Sequence, residues 1–183
     1  STSPNGERAF TYWRAQSAAR ELFQTANGAE FSALNGYDAL YLSGITLAIL
    51  PADIRHELLN FLKTSDALFA FDSNYRPALW GDAQEARKTI NSFWEISDIT
   101  LPSLDDEMEL FQENFETVQK RFAAYGSLGA LKRGEKGPLS LGERISATRY
   151  PASPTVVDTT AAGDSFNGAY LAAKLSGENQ ERA

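Results

Sequence analysis

The chain has no cysteine and a single histidine, His56, among its 183 residues. Without thiols, disulfide frameworks, thiolate zinc sites and cysteine nucleophiles are excluded. A Ser-His-Asp arrangement would have to use His56. That residue falls in Ala52-Asp-Ile-Arg-His-Glu-Leu-Leu59, on the charged side of an amphipathic pattern, and reads as an exposed helix position. Positive charge is also scarce: 17 Lys and Arg stand against 24 Asp and Glu, a net charge of −7. A nucleic-acid partner, which needs a basic surface, is therefore not expected. No apolar run approaches the ~20 residues of a membrane span, so no membrane association is expected. Ser1-Thr-Ser-Pro-Asn-Gly6 has no basic-then-apolar leader, which leads to the expectation of a cytoplasmic protein. Any chemistry must rest on carboxylates, Lys and Arg, hydroxyls, backbone N–H groups and a hard metal such as Mg²⁺.

What is present is a folded-domain composition, 43% hydrophobic, patterned as alternating strands and helices. Ala39–Ser43 reads as a buried strand ending at Gly44, and Ile54, Leu58, Phe61 and Leu62 recur at helical spacing after Pro51. Ala67–Phe71 reads as a second strand ending in Asp72, and Asp82 as the N-cap of a helix carrying Ala83, Ala86, Ile90 and Phe93. A third strand is expected near Ile99–Leu101, a helix from the acidic run Leu104–Glu107, and another over Phe115–Ala124 ending at Gly126. Leu128–Lys132 reads as the next strand, followed by a β-rich stretch through Tyr150. The last element is a helix over about Gly163–Leu175 with Phe166, Ala169, Tyr170 and Ala173 on one face. This alternation predicts an α/β fold, a parallel sheet covered by helices on both sides, with ligands at the carboxyl ends of its strands. One domain is expected over 1–183. It is expected to be incomplete at both ends, with short loops near Ser65-Asp66 and Gly126–Gly129, and therefore inactive and unstable by itself.

Neither the G-x-x-x-x-G-K-[ST] loop nor the G-x-G-x-x-G turn occurs. Instead Val157-Asp-Thr-Thr-Ala-Ala-Gly-Asp-Ser-Phe-Asn-Gly168 runs into the last helix. Ala161, Ala162 and Gly163 are small enough for backbone to approach a ligand, and their N–H groups would point from a helix N-terminus that favours an anion. Asp164 belongs to the same turn. Its carboxylate suits the task of accepting the proton of an attacking hydroxyl during phosphoryl transfer. Taken alone, the string also fits an ordinary first helix turn in which Asp complements the helix dipole.

The whole string resembles the second signature of the ribokinase-like (PfkB) carbohydrate kinases, D-T-x-x-A/G-G-D. The resemblance implies a three-layer αβα sandwich with a mostly parallel sheet. It also implies Asp164 as catalytic base and Ala161, Ala162 and Gly163 as the anion hole for the γ-phosphoryl group of ATP. Gly6–Arg14, Tyr41–Ile45 and Phe71–Trp80 look like a branch of that family, the 2-keto-3-deoxygluconate kinases. That likeness implies phosphorylation of the 6-hydroxyl of this sugar acid, with Tyr12, Arg14, Ile45, Asn74, Arg76 and Asp164 on the substrate side. The chemistry agrees, since a guanidinium can grip a carboxylate through two parallel hydrogen bonds, and Arg14 and Arg76 are the candidates.

Lys132-Arg-Gly-Glu-Lys-Gly137 resembles the family's segment that approaches ATP. It implies nucleotide contacts from Lys132, Gly134 and Gly137, and from Ser103. The family's N-x-x-E motif for water-mediated Mg²⁺ corresponds to Ser103 and Asp106, with serine in place of asparagine. Residues 8–14 are expected in a small β-lid, through which the resemblance admits a homo-oligomer. The family's N-terminal Gly-Gly signature is not found. Another neutral- or acidic-sugar kinase of the family, such as a fructokinase-like enzyme, and a sugar-binding relative without turnover are the alternatives.

Overall fold

The computed structural model describes residues 17–145 and 155–183. Residues 8–14, with Tyr12 and Arg14 of the expected lid, and the tail of the β-rich stretch at 146–150 lie outside them. A short antiparallel pair, β1 (Gln24–Thr25) and β2 (Gly28–Ala29), precedes the main sheet. That sheet has five strands in the order β3 (Ala39–Ser43), β4 (Leu68–Asp72), β5 (Ile99–Thr100), β6 (Leu128–Leu131) and β7 (Leu139–Leu141). The first four are parallel, in a register that sets Ser43 beside Asp72 and Thr100 beside Gly129. β7 turns back antiparallel to β6, so the sheet is mostly parallel.

Strands that are neighbours in both sequence and space need a crossover each, and the near-constant right hand of such crossovers puts them all on one face. Helices α1 (Gly44–Ile49), α2 (Ala52–Thr64), α3 (Ala83–Trp94), α4 (Leu104–Phe111) and α5 (Phe115–Tyr125) accordingly share one core with Leu40, Phe69, Phe71 and Leu131 of the strands. Its centre is aromatic, with Phe71 edge-on to Trp94 at 4.6 Å and Trp94 edge-on to Phe122 at 5.0 Å. Strand alternation sends Ala70, Ile99 and Ala130 to the other face. There, among the described residues, α6 (Ala162–Leu175) covers them with Tyr170.

The helix boundaries follow from local chemistry. Asp82 caps α3 by accepting the Glu85 N–H at 3.0 Å, and Asn114 caps α5 by accepting the Thr117 N–H at 3.0 Å. Gly126 closes α5 in the left-handed conformation at φ 71°. Three features depart from the sequence pattern. The run after Gly44, to which that pattern assigns no element, forms α1, a short stretch of apolar and small residues with no helical period. β6 stops at Leu131, and Lys132 instead pairs with Ser103 in an isolated parallel bridge. On α6 the buried positions are Asn167 and Tyr170, whereas Ala169 is exposed. A polar residue takes a place that an apolar pattern would not assign to it.

Candidate active site

The parallel strands deliver their carboxyl ends to one edge, and a cleft of about 840 Å³ opens there. Asp72 ends β4, Lys132 follows β6, Ser103 precedes α4, and the turn Thr159–Asp164 leads into α6. Of the residues expected from sequence, Asn74, Arg76, Ser103, Asp106, Lys132, Gly134, Gly137 and Ala161–Asp164 all line this cleft. Ile45 does not; it sits half-buried in α1. Tyr12 and Arg14 are outside the described residues.

The turn before α6 is built locally. The Asp158 carboxylate accepts the Thr160 N–H at 2.9 Å, and the Thr159 carbonyl accepts the Ala162 N–H at 3.2 Å. Ala161 then takes the left-handed conformation, φ 58° and ψ 17°, and the helix starts. As first-turn residues, Gly163 and Asp164 have N–H groups with no acceptor inside the helix, and both are exposed to the cleft. Helix dipole, free donors and lack of bulk coincide at this point, which makes it suited to an anion.

Behind the turn lies a polar cluster, buried at Asp72 and Asn167 and open to solvent on the Tyr41 side. The Asp72 Oδ2 accepts from the Lys132 ammonium at 2.7 Å and from the Asn167 amide at 2.6 Å. Lys132 also donates to Asn167 Oδ1 at 3.0 Å, and the Asn167 amide donates to the Tyr41 hydroxyl at 3.1 Å. Burial, reinforced by the negative charges of Asp72 and then Asp164, pushes the Tyr41 phenol up to about 12, so it remains protonated. A β-carbon added at Gly163 would stand 3.9 Å from the Lys132 ammonium, which puts the cluster directly under the turn. Lys132 was expected to face the nucleotide; its ammonium is turned to Asp72 and Asn167 while the residue still borders the cleft.

On the opposite wall, Arg76 is half exposed and donates to the Tyr75 carbonyl at 2.7 Å. It lies 3.7 Å from Asp106 Oδ1, whose other oxygen accepts the Tyr75 N–H at 3.1 Å. Burial raises Asp106 to about 6, against the pull of Arg76 and with a further push from the Asp72 charge. Deeper still, Glu107 is fully buried against Arg121 at 2.9 Å. Burial raises its carboxyl despite that guanidinium. Sequence reasoning assigned no role to Asp72, Asn167 or Tyr41. Asn167 had a signal, since it stands three residues after Asp164 and so on the same side of a helix.

Carboxylates of Asp105, Asp106 and Asp164 line the cleft, while no group of three or more Asp, Glu, His or Cys suited to a metal occurs among the described residues. That donor set fits Mg²⁺, which keeps several waters and binds through one or two carboxylates together with phosphate oxygens.

Sheet and cleft together are those of an α/β protein that takes its ligand at the strand ends. The chain belongs to the pfkB family of carbohydrate kinases, which it matches over residues 1–183. It is 39% identical over 193 residues to the 2-dehydro-3-deoxygluconokinase of Escherichia coli K12, an alignment spanning 100% of this chain and 62% of that protein. The chain thus spans less than two thirds of that relative's length. Among solved structures it resembles a 2-dehydro-3-deoxygluconokinase from Thermotoga maritima, with a TM-score of 0.64 at 23% identity, covering 81% of this chain and 51% of that one. It also resembles a sugar kinase from Pyrococcus horikoshii in complex with ATP, with a TM-score of 0.60 at 24% identity, covering 82% and 48%. At these identities the likeness speaks for the fold: helices flanking a mostly parallel sheet, as in ribokinase-like kinases.

Proposed function

We propose that the protein carrying this chain transfers the γ-phosphate of ATP to the 6-hydroxyl of 2-keto-3-deoxygluconate. The observation that carries this reading is the meeting, in one cleft, of a carboxylate on a helix N-terminus, Asp164, with a half-exposed guanidinium, Arg76. The 39% identity to an enzyme named for this reaction supports the choice of acceptor. ATP as donor is supported by the nucleotide in the Pyrococcus horikoshii kinase.

In this reading the sugar's 6-hydroxyl approaches Asp164, which accepts its proton as the oxygen attacks the γ-phosphorus. The bond from that phosphorus to the β–γ bridging oxygen breaks, and ADP leaves. The N–H groups of Ala161 and Gly163 meet the charge on the transferred phosphoryl group, where a preorganised donor is worth most, while that of Ala162 is given to the Thr159 carbonyl. Arg76 has N–H donors beyond the one given to Tyr75, and with Arg14 it holds the sugar carboxylate. Asn74 completes the acceptor side from within the cleft, together with Tyr12. Ser103, Gly134 and Gly137 border the nucleotide, with Lys132 anchoring the segment that contains the two glycines. Asp106 would hold Mg²⁺ through water, and the ion would supply charge neutralisation on the phosphates. The protein is read as cytoplasmic, acting on small molecules, with self-association through the lid. Among the described residues no helix is long and apolar enough to cross a membrane.

The test is ADP release by the whole protein, presented with 2-keto-3-deoxygluconate, other sugar acids and hexoses. Turnover is expected with the sugar acid in preference to fructose. Asp164→Asn should lower kcat by about 10²- to 10⁴-fold, the usual contribution of a positioned base. Arg76→Ala should raise KM for the sugar acid more than it lowers kcat. An Asp164→Asn enzyme with full kcat would overturn the mechanism, and preference for a neutral sugar would overturn the acceptor.

A further inference from the structure

We infer that Asp72 is a positioning residue that couples the turn bearing Asp164 to the loop bearing Arg76, so that one buried carboxylate sets the distance between the two sides of the cleft. This rests on the reading of that cleft as the phosphoryl-transfer site.

The two oxygens of Asp72 are divided between the two walls. Oδ2 takes the Lys132 ammonium and the Asn167 amide, and so reaches α6. Asn167 stands one helical turn beyond Asp164, on the same side of the helix, so a shift of Asn167 carries the base with it. Oδ1 instead accepts the Asn74 N–H at 3.1 Å. That bond closes a tight turn in which Asn74 holds a φ of 33°, a value that asparagine tolerates better than most residues. The turn leads into Tyr75 and Arg76, which are fastened again by Asp106 through the Tyr75 N–H.

The side chain of Asp72 is 3% exposed. Taking a carboxylate out of water costs several kcal/mol, about what its ion pair returns, so such a group adds little net stability over apolar packing. What it adds is direction. Charge-assisted hydrogen bonds are short and orient their partners, and here they join β4, the residue after β6, and α6, which are 60 and 95 residues from Asp72 along the chain. Catalysis is steep in this coordinate, since a displacement of about 1 Å at a reacting group costs on the order of 10²-fold in rate.

The prediction separates the two oxygens. Asp72→Asn keeps a carbonyl for the Asn74 N–H but presents an amide to two donors, Lys132 and Asn167. It should lower kcat on the order of 10²-fold while KM for the sugar acid changes by no more than about twofold, because uniform binding through Arg76 is retained. Asp72→Ala removes both acceptors and should raise KM as well. Asn167→Ala should reproduce the kcat loss, and the Asn167→Ala/Asp72→Asn double variant should be no worse than Asp72→Asn, because both cut the same link.

Amide hydrogen exchange of residues 159–167 and 73–78 reads the coupling without reference to turnover. Both segments should exchange faster in Asp72→Ala, and only the first in Asn167→Ala. Unchanged exchange in both variants would overturn the coupling. So would kcat and KM effects that merely follow a lower Tm and a smaller active fraction. If exchange responds as expected and the wild-type protein phosphorylates no sugar acid, the coupling stands and the proposed function falls.

Discussion

Ala161 enters α6 in the left-handed region, a conformation that costs a residue with a β-carbon roughly 1–2 kcal/mol. Its methyl group is exposed, so no packing repays the strain. Strain of this kind at a ligand-facing turn is a common mark of a functional site. Glycine at 161 would relieve it, offset by about 0.4–1 kcal/mol for the greater freedom of the unfolded chain. Ala161→Gly is therefore expected to be as stable as the wild type or slightly more so. Ala161→Val, branched at the β-carbon, should lose at least about 1 kcal/mol. Urea denaturation of the three proteins checks the order. The special turn at 158–164 was legible from small residues and carboxylates alone. That the bend falls on Ala161 rather than on Gly163 was not, because either residue could stand at the helix start.

Among the helices α1–α6, α1 is the one that the sequence pattern passed over, and it is also among the most tightly seated. Its first residue, Gly44, has a backbone so close to the turn after β4 that an added β-carbon would lie 1.9 Å from the Ser73 carbonyl oxygen. A backbone atom cannot swing aside as a flexible side chain does, so Gly44→Ala should cost about 1–3 kcal/mol, in the range of overpacked cores. A lowered urea midpoint with an unchanged slope is the expected result. Because Ser73 adjoins Asp72, the same substitution should also disturb the cleft. The other helices were readable because apolar residues recur at their natural period and because Asp82 and Gly126 punctuate them. Six apolar and small residues in a row offer no such period.

For the molecule as a whole, acid groups buried near the cleft make stability depend on pH. Asp106 titrates at about 6 in the folded protein, above its ordinary value of 3.8. Between these values the folded state holds a proton that the unfolded state has released. Stability from this group is therefore full below pH 4 and declines as pH rises to about 6, by no more than about 3 kcal/mol. Glu107, raised by its complete burial, acts in the same direction. Unfolding free energies from urea at pH 4.5 and pH 6.5 should show the decline, and Asp106→Asn should remove about half of it, the rest belonging to Glu107. A variant with the wild-type slope would show that Asp106 is not its source.

The sequence by itself determined the alternation of strands and helices, most of their limits, and the small-residue turn ending in Asp164. These depend on residues close together in the chain, where side-chain period, caps and glycine conformations act. Only the tertiary structure decided that five helices share one face of the sheet while α6 covers the other, and that β7 runs backwards. It alone brought Asp72, Lys132 and Asn167 together beneath the base, across separations of 35 to 95 residues. A contact of that span is set by strand register and crossover handedness, and neither leaves a periodic trace in the residues that meet.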